Sequence, residues 1–306
     1  MKQVSITAVL LASLSLAALA TAEATDPSYL EGITAWRAER MAKLRAADGY
    51  LNLAALYWLD EGRHSFGASA DNDLVFPNAL AERIGYLEVE DGRVTMLVND
   101  GELVLMDQQP VRQAALEPVT DGSPVPAQMG SQFWYVIERV GKLGLRLHDL
   151  ENPALERLPP MPYFDINRRF RVTGRLRTYP EPRRVSVSTV IDGLPYEPES
   201  PGVVEFELDG RAFALEAYTS GDELFFVFGD ATSGRETYGA GRFLYSPAPG
   251  EDGLTVLDFN QSYNPPCAFN DFSTCPVASP RNRLDIPIEA GELYDPSLYV
   301  GEVAYK

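Results

Sequence analysis

Hydrophobic and polar positions change their period once along this chain. Between residues 28 and 47, Tyr29, Ile33, Trp36, Met41 and Leu44 recur near every 3.6 residues, while Glu31, Arg37, Glu39, Arg40 and Arg45 fill the other side. That spacing predicts one N-terminal amphipathic helix. Asp26-Pro27 suits its start, an acceptor side chain followed by a residue with fixed φ and no N–H to satisfy. Residues 50–59 are apolar without a resolvable period. From there the period becomes two. Residues 86–89 and 93–97 flank Glu90-Asp91-Gly92, residues 95–98 and 102–106 flank Asn99-Asp100-Gly101, and residues 203–208 and 211–218 flank Asp209-Gly210. Each reads as a hairpin, because glycine supplies the positive φ of a tight turn. Residues 132–138 and 143–147 pair around Gly141, and 170–178, 184–191 and 223–228 read as further strands.

Strands that succeed one another without helical patterns make an antiparallel sheet. The predicted fold is mainly β: an antiparallel β-sandwich or barrel-like domain with one N-terminal helix. Proline- and glycine-rich breaks fall at 118–131, 152–163 and 194–202. A division at the second break would leave open sheet edges on both halves, so residues 26–306 are read as a single domain.

The first two dozen residues have the pattern of a signal peptide. Lys2 precedes an apolar stretch from Val4 to Leu19, and small residues follow, giving a peptide over 1–22 with cleavage after Ala22 or Ala24. The stretch is shorter than the roughly 20 residues a membrane span needs. The expected location is periplasmic or secreted, with no membrane span after cleavage.

Composition narrows the chemistry. With 44 Asp and Glu against 26 Lys and Arg, the net charge is −18, which disfavours nucleic acid as a partner. Two Cys and two His exclude a disulfide-rich scaffold, a four-thiolate zinc site and a three-histidine metal site. There is no Walker A run, no HExxH and no GxSxG. His148 and Asp149 are adjacent, so on a strand they face opposite sides and form no dyad by adjacency.

One stretch departs from alternating chemistry. Residues 258–292 concentrate both cysteines with many Pro, Asn and acidic residues. Prolines 265 and 266 fix φ and hold the chain before them extended, so the stretch reads as an ordered loop presenting polar side chains. Cys267 and Cys275 are expected to form a disulfide in an oxidising compartment, worth about 2.6 kcal/mol by loop closure. Buried free thiols and a redox or nucleophilic pair are the alternatives.

The same stretch resembles the bacterial family called domain of unknown function 1684. The resemblance rests on Leu257-Asp258-Phe259-Asn260, Tyr263-Asn264-Pro265-Pro266-Cys267-Ala268-Phe269, Cys275-Pro276, Asn282-Arg283-Leu284 and Ile288-Glu289-Ala290-Gly291-Glu292. Upstream, Phe228–Gly234, Glu236–Leu244, Leu145-Arg146 with Asp149, Trp58-Leu59 and Phe66-Gly67 are also similar. The chain departs from the family pattern at Val277-Ala278-Ser279 and at Arg281, so an acid at 281 is not indispensable. The resemblance transfers a region and no reaction.

Two readings follow. In the first, a polar pocket lies between the loop and the strands bearing Arg146, Asp149, Asp230 and Arg242. Asp258, Glu289 or Glu292 serves as acid or base for hydrolysis of a glycoside-like or ester-like bond, and of the two glutamates, three apart on an extended segment, at most one faces a given pocket. Asn260, Tyr263, Asn264 and Asn282 hold a small polar molecule, with Phe269 and Trp58 as stacking surfaces. Asp258, Asn260 and Glu289 oxygens around a calcium ion are a variant; the sequence fixes no metal or cofactor. In the second, these residues cap turns, and the loop is a fold-stabilising cap on a non-enzymatic, envelope-associated binding module.

Overall fold

The computed structural model describes residues 26–119 and 124–298; the expected signal peptide and both its cleavage points lie outside them. Helix α1 spans Pro27–Arg45, with Asp26 capping its start by accepting from Ser28 N at 3.0 Å. Ile33 and Leu44 are buried. The inward stripe has the expected period, but it includes Arg37 and Arg40, which their chemistry assigned to solvent. The surface beneath the helix is polar, and that is the reason. Arg37 Nη2 donates to Phe164 O at 2.9 Å, Arg40 Nε lies 3.2 Å from the buried Glu292 carboxylate, and the Tyr29 hydroxyl bonds Asp258.

Strands β1 (Leu53–Leu59), β2 (Gly62–Gly67), β3 (Leu74–Val75), β4 (Gly85–Glu90), β5 (Arg93–Val98), β6 (Val104–Met106), β7 (Gln109–Val111), β8 (Gln113–Ala115), β9 (Ala127–Met129), β10 (Gln132–Arg139) and β11 (Lys142–Asp149) build the first half. They form two sheets, ordered β1-β11-β10-β9-β6-β7 and β3-β2-β4-β5-β8. Both bury their apolar faces in one core around Phe66, Phe76 and Trp134. Strands β12 (Arg171–Arg184), β13 (Glu199–Leu208), β14 (Arg211–Ser220), β15 (Glu223–Phe228), β16 (Arg242–Pro247) and β17 (Leu254–Asp258) form the third sheet, ordered β16-β15-β14-β13-β12-β17. Its outer strands approach each other, and Thr255 Oγ1 donates to Pro247 O at 2.7 Å and lies 3.2 Å from Ser246 Oγ. The sheet thus curls nearly into a barrel around Phe226, Phe228 and Phe259. Pairing is antiparallel throughout these sheets except between β2 and β3. Among the described residues, no helix is long and apolar enough to cross a membrane.

The Asp-Gly hairpins form as the sequence predicts. Asp91 and Gly92 (φ 50° and 74°) and Asp209 and Gly210 (φ 53° and 70°) place both turn residues in the left-handed region, which matches the twist of the flanking strands. The hairpin expected around Asn99-Asp100-Gly101 does not form. β5 pairs with β4 and β8, whereas β6 pairs with β7 and β9 in the other sheet. Arg112 Nη1 donates to Asn99 O and Glu102 O, both at 2.9 Å, and pins this crossing between sheets. Of the strand expected over 184–191, only Arg184 lies in a sheet, as the last residue of β12, and residues 185–191 do not form one. They open an irregular arm that folds on itself at Val187 and Tyr196 and bridges Pro276 through Thr189.

Strand β15 is apolar on both faces. Leu224, Phe226 and Phe228 enter the barrel core, while Phe225 and Val227 join Phe243, Tyr218 and both cysteines in a cluster outside it. A strand of this kind needs a cover on each side. Here the arm and the C-terminal loop supply the outer one.

Candidate functional site

A cavity of about 710 Å³ lies where the two halves meet. The end of α1 contributes Arg40 and Lys43, the β10–β11 hairpin Glu138–Gly141 and Arg146, the arm Arg184 to Glu197, and the C-terminal loop Tyr263 to Pro276. Its aromatic walls are Tyr50, Tyr196, Phe225, Phe243, Tyr245 and Tyr263. Five Lys and Arg line it against two Glu, inside a chain of net charge −18. Two of the cations are already neutralised, Arg40 by Glu292 at 3.2 Å and Lys43 by Glu39 at 2.8 Å.

Arg146 is different. It projects from β11, between Leu56 of β1 and Tyr135 of β10. Its Nε is buried and has no hydrogen-bond partner among the described residues. A desolvated, unpaired guanidinium N–H is costly, and an anion is the natural partner for its planar fork. His148 follows two residues along the same face, stacked on Phe133 with centroids 4.6 Å apart. Its Nδ1 lies 2.7 Å from Asn52 Oδ1 and its Nε2 3.3 Å from the Tyr135 hydroxyl. Burial first, then the Arg146 charge, push its pKa down to about 3. The imidazole is therefore neutral at physiological pH and adds no charge beside Arg146.

Val140 at the tip of the β10–β11 hairpin also lines the cavity and holds φ at 52°. A β-branched residue in the left-handed region is a strained conformation, of a kind that gathers at functional sites.

The structure separates the residues that the sequence grouped. Arg146 and Tyr263 line the cavity. Arg40 Cζ sits 4.4 Å above the Tyr263 ring. The other candidates do not line it. Asp258 caps the turn after β17: it accepts from Tyr29 at 3.0 Å and from Asn260 N at 3.1 Å, and lies 3.6 Å from Arg171. Burial raises its pKa. Asn260 is fully buried, accepting from Asn167 N and donating to Asn167 O, both at 2.9 Å. Asp149 caps its own turn by accepting from Glu151 N at 3.0 Å. Asp230 and Arg242 form a fully buried pair at 2.9 Å, and Arg242 Nη2 also donates to Ile288 O at 2.9 Å. Asn282 imitates a strand, accepting from Glu216 N and donating to Glu216 O and Val227 O. Asn264 donates to Leu293 O at 2.8 Å, and its backbone N–H donates to Glu292 Oε2 at 2.7 Å.

Glu289 is exposed, with no hydrogen bond or short ion pair among the described residues, whereas Glu292, three residues on, is the buried acid. Gly291 explains the switch: at φ 80° it passes so close to the Ser262 and Phe259 backbones that a Cβ would collide with both. With Asp258 engaged and Glu289 in solvent, the three oxygens suggested for calcium do not converge, and no group of three or more His, Cys, Asp or Glu among the described residues is placed to hold a metal ion.

The expected disulfide is absent: Cys267 and Cys275 are free and buried, and Cys267 N donates to Cys275 Sγ at 3.2 Å. Burial, reinforced by the neighbouring Cys267, raises the Cys275 pKa well above the ordinary thiol range. Each sulfur packs as an apolar atom among Phe225, Val227 and Phe243. Cys275 lines the cavity, but a protonated thiol is a poor nucleophile.

Tyr50, Tyr245 and the arm were not anticipated as site residues. The run Leu224–Phe228, apolar on both faces, is the signal that marks a covered outer surface beside β15.

Comparison with known proteins bears on the second half of the chain. Residues 156–293 match the family described as "Protein of unknown function (DUF1684)". Over those residues the chain is similar to DUF1684. The DUF1684 region takes in the third sheet, the arm and the C-terminal loop, and so one wall of the cavity; Arg146, Asp149 and the hairpin opposite lie before it. A solution NMR structure of an uncharacterized protein from Haloarcula marismortui is 28% identical over 45% of this chain and 82% of that chain, with a TM-score of 0.38. No curated protein matches.

Proposed function

We propose that the cavity binds a small anionic molecule with an apolar or ring-bearing body, and that Arg146 receives its charge. The supporting observation is the unpaired, buried Arg146 Nε in an aromatic-walled cavity of about 710 Å³, a volume typical of small-molecule sites. Binding, rather than hydrolysis by paired carboxylates, is the better reading, because Asp258 is engaged in a turn and Glu289 is in solvent. The alternative reading of the C-terminal motif applies to its other residues: Asn260, Asn282, Asp230 and Arg242 are consumed in holding the fold. One loop face stabilises the barrel while Tyr263 and Cys275 face the cavity.

As part of the same proposal, residues 26–306 fold as one unit that is exported. Support for the unit comes from a cluster that draws on Leu44 and Leu51 from one end and Phe269 and Leu298 from the other. Support for export comes from the pattern of residues 1–24.

The test is a thermal-shift screen of aromatic carboxylates, phosphates and sulfonates beside their neutral analogues. A ligand that binds only the native state raises the melting temperature with concentration. Anions that stabilise wild type and fail with Arg146→Gln support the site. Equal shifts from the neutral analogues refute it.

A further inference from the structure

The donors facing the cavity are more numerous than one carboxylate needs. Tyr50, Tyr245 and Tyr263 all line it, and the hydroxyls of all three lack hydrogen bonds among the described residues, whereas those of Tyr29, Tyr163, Tyr179 and Tyr238 are bonded. The three are neighbours along one cavity wall, and Tyr50 is the one beside Arg146. Tyr50 lies within the field of Arg146 and Tyr245, and Tyr263 within that of Tyr245 and Tyr50. The Tyr245 and Tyr263 rings are nearly parallel, 8° apart with centroids separated by 6.5 Å. Burial holds the Tyr50 and Tyr263 hydroxyls protonated, so they are donors. Arg184, on the arm side of the cavity, likewise has no acid partner among the described residues. Phe225, Phe243, Pro266 and Pro276 supply apolar wall.

Resting on the reading of this cavity as an anion site, the geometry points to a phosphate monoester as its ligand, with the phosphoryl group held by the Arg146 guanidinium and the Tyr50, Tyr245 and Tyr263 hydroxyls, and the organic body against the apolar wall. Three terminal oxygens in tetrahedral array accept a guanidinium fork and several hydroxyls from different directions at once. A planar carboxylate offers two oxygens in one plane. A second unpaired arginine favours a dianion, and a phosphate monoester becomes one above its second pKa of about 6.

Calorimetric titration of the full chain with phenyl phosphate, benzoate and inorganic phosphate tests this. Phenyl phosphate is expected to bind at least about tenfold more tightly than benzoate, with affinity rising between pH 5.5 and 7.5. Tyr50→Phe and Tyr245→Phe each remove one hydroxyl from a partly exposed ring, which leaves the fold intact. Each is expected to weaken phenyl phosphate about tenfold, the usual effect of losing one hydrogen bond to a charged group, and to leave benzoate nearly unchanged. Benzoate binding as well as phenyl phosphate overturns the phosphate assignment and leaves the anion site standing. Inorganic phosphate binding as tightly as the ester overturns the role of the organic body. No binding by any of the three, in a protein whose unfolding is cooperative, overturns both readings.

Discussion

Arg242 Nη2 lies 2.9 Å from Asp230 Oδ2, and both side chains are completely buried. The pair ties β16 to the turn after β15, and Asp230 also accepts from Thr232 N and Ile288 N. Removing one member leaves the other charge stranded in the interior, at a cost of about 3–5 kcal/mol. Asp230→Ala and Arg242→Ala are therefore expected to lower stability by that amount in urea unfolding, with the two effects far from additive in the double variant. Losses under 1 kcal/mol would show that the pair is not closed in solution.

His148 should impose a pH dependence. Its pKa falls from 6.5 to about 3 on folding, so the unfolded chain binds a proton that the native state refuses. The stabilisation is fully present above pH 6.5 and is lost as pH falls towards 3, by about 3 kcal/mol between pH 7 and pH 4. Asp258 and Glu292, raised by burial, act in the opposite sense, since their contribution is lost as pH rises through their native pKa values. The comparison must therefore be with His148→Gln, whose stability should fall less between pH 7 and pH 4 than that of wild type. A native imidazole resonance that titrates near pH 6.5 would contradict the assignment.

Thiol counting on denatured, unreduced protein should give two thiols per chain. Cys275→Ser should cost about 1–3 kcal/mol, because the hydroxyl replaces an apolar sulfur in the cluster around Phe225 and Phe243 and, although Cys267 N can still donate to it, its own proton lacks a ready acceptor. A count of zero means that the pair bridges after all.

Val140 sits at φ 52° beside Gly141 at 73°. Asn tolerates the left-handed region better than a β-branched residue, at a saving of about 1 kcal/mol. Val140→Asn should accordingly raise the urea midpoint. A lower midpoint would mean that the Val140 side chain contributes more at the cavity rim than its backbone costs.

Local chemistry was readable from the sequence wherever a turn had one acceptable conformation. Asp91-Gly92 and Asp209-Gly210 closed hairpins, and Asp26-Pro27 opened a helix. Asn99-Asp100-Gly101 has the same appearance, yet it carries the chain between sheets, because the partner of each flanking strand lies elsewhere in the sequence and periodicity does not name partners. The helix arginines misled for a related reason: Arg37 and Arg40 look like solvent residues until Phe164 O and Glu292 are known to lie beneath them. In the signature, Asn282 and Asn260 look like ligand-orienting amides, but their amides bond backbone groups 66 and 93 residues away. Glu289 and Glu292 are equally acidic, and only the bend at Gly291 decides which one is buried. Arg146 was visible as a candidate; its missing partner was not, because an unpaired group is defined by everything around it.

The most direct test of the anion site reads Arg146 itself. In ¹⁵N-labelled protein, the Arg146 Nε–H resonance is identified by its disappearance in Arg146→Gln. During titration with phenyl phosphate it is expected to shift downfield saturably, with the same affinity that calorimetry gives. A calorimetric affinity reached while that resonance stays in place would put the anion elsewhere and contradict the account.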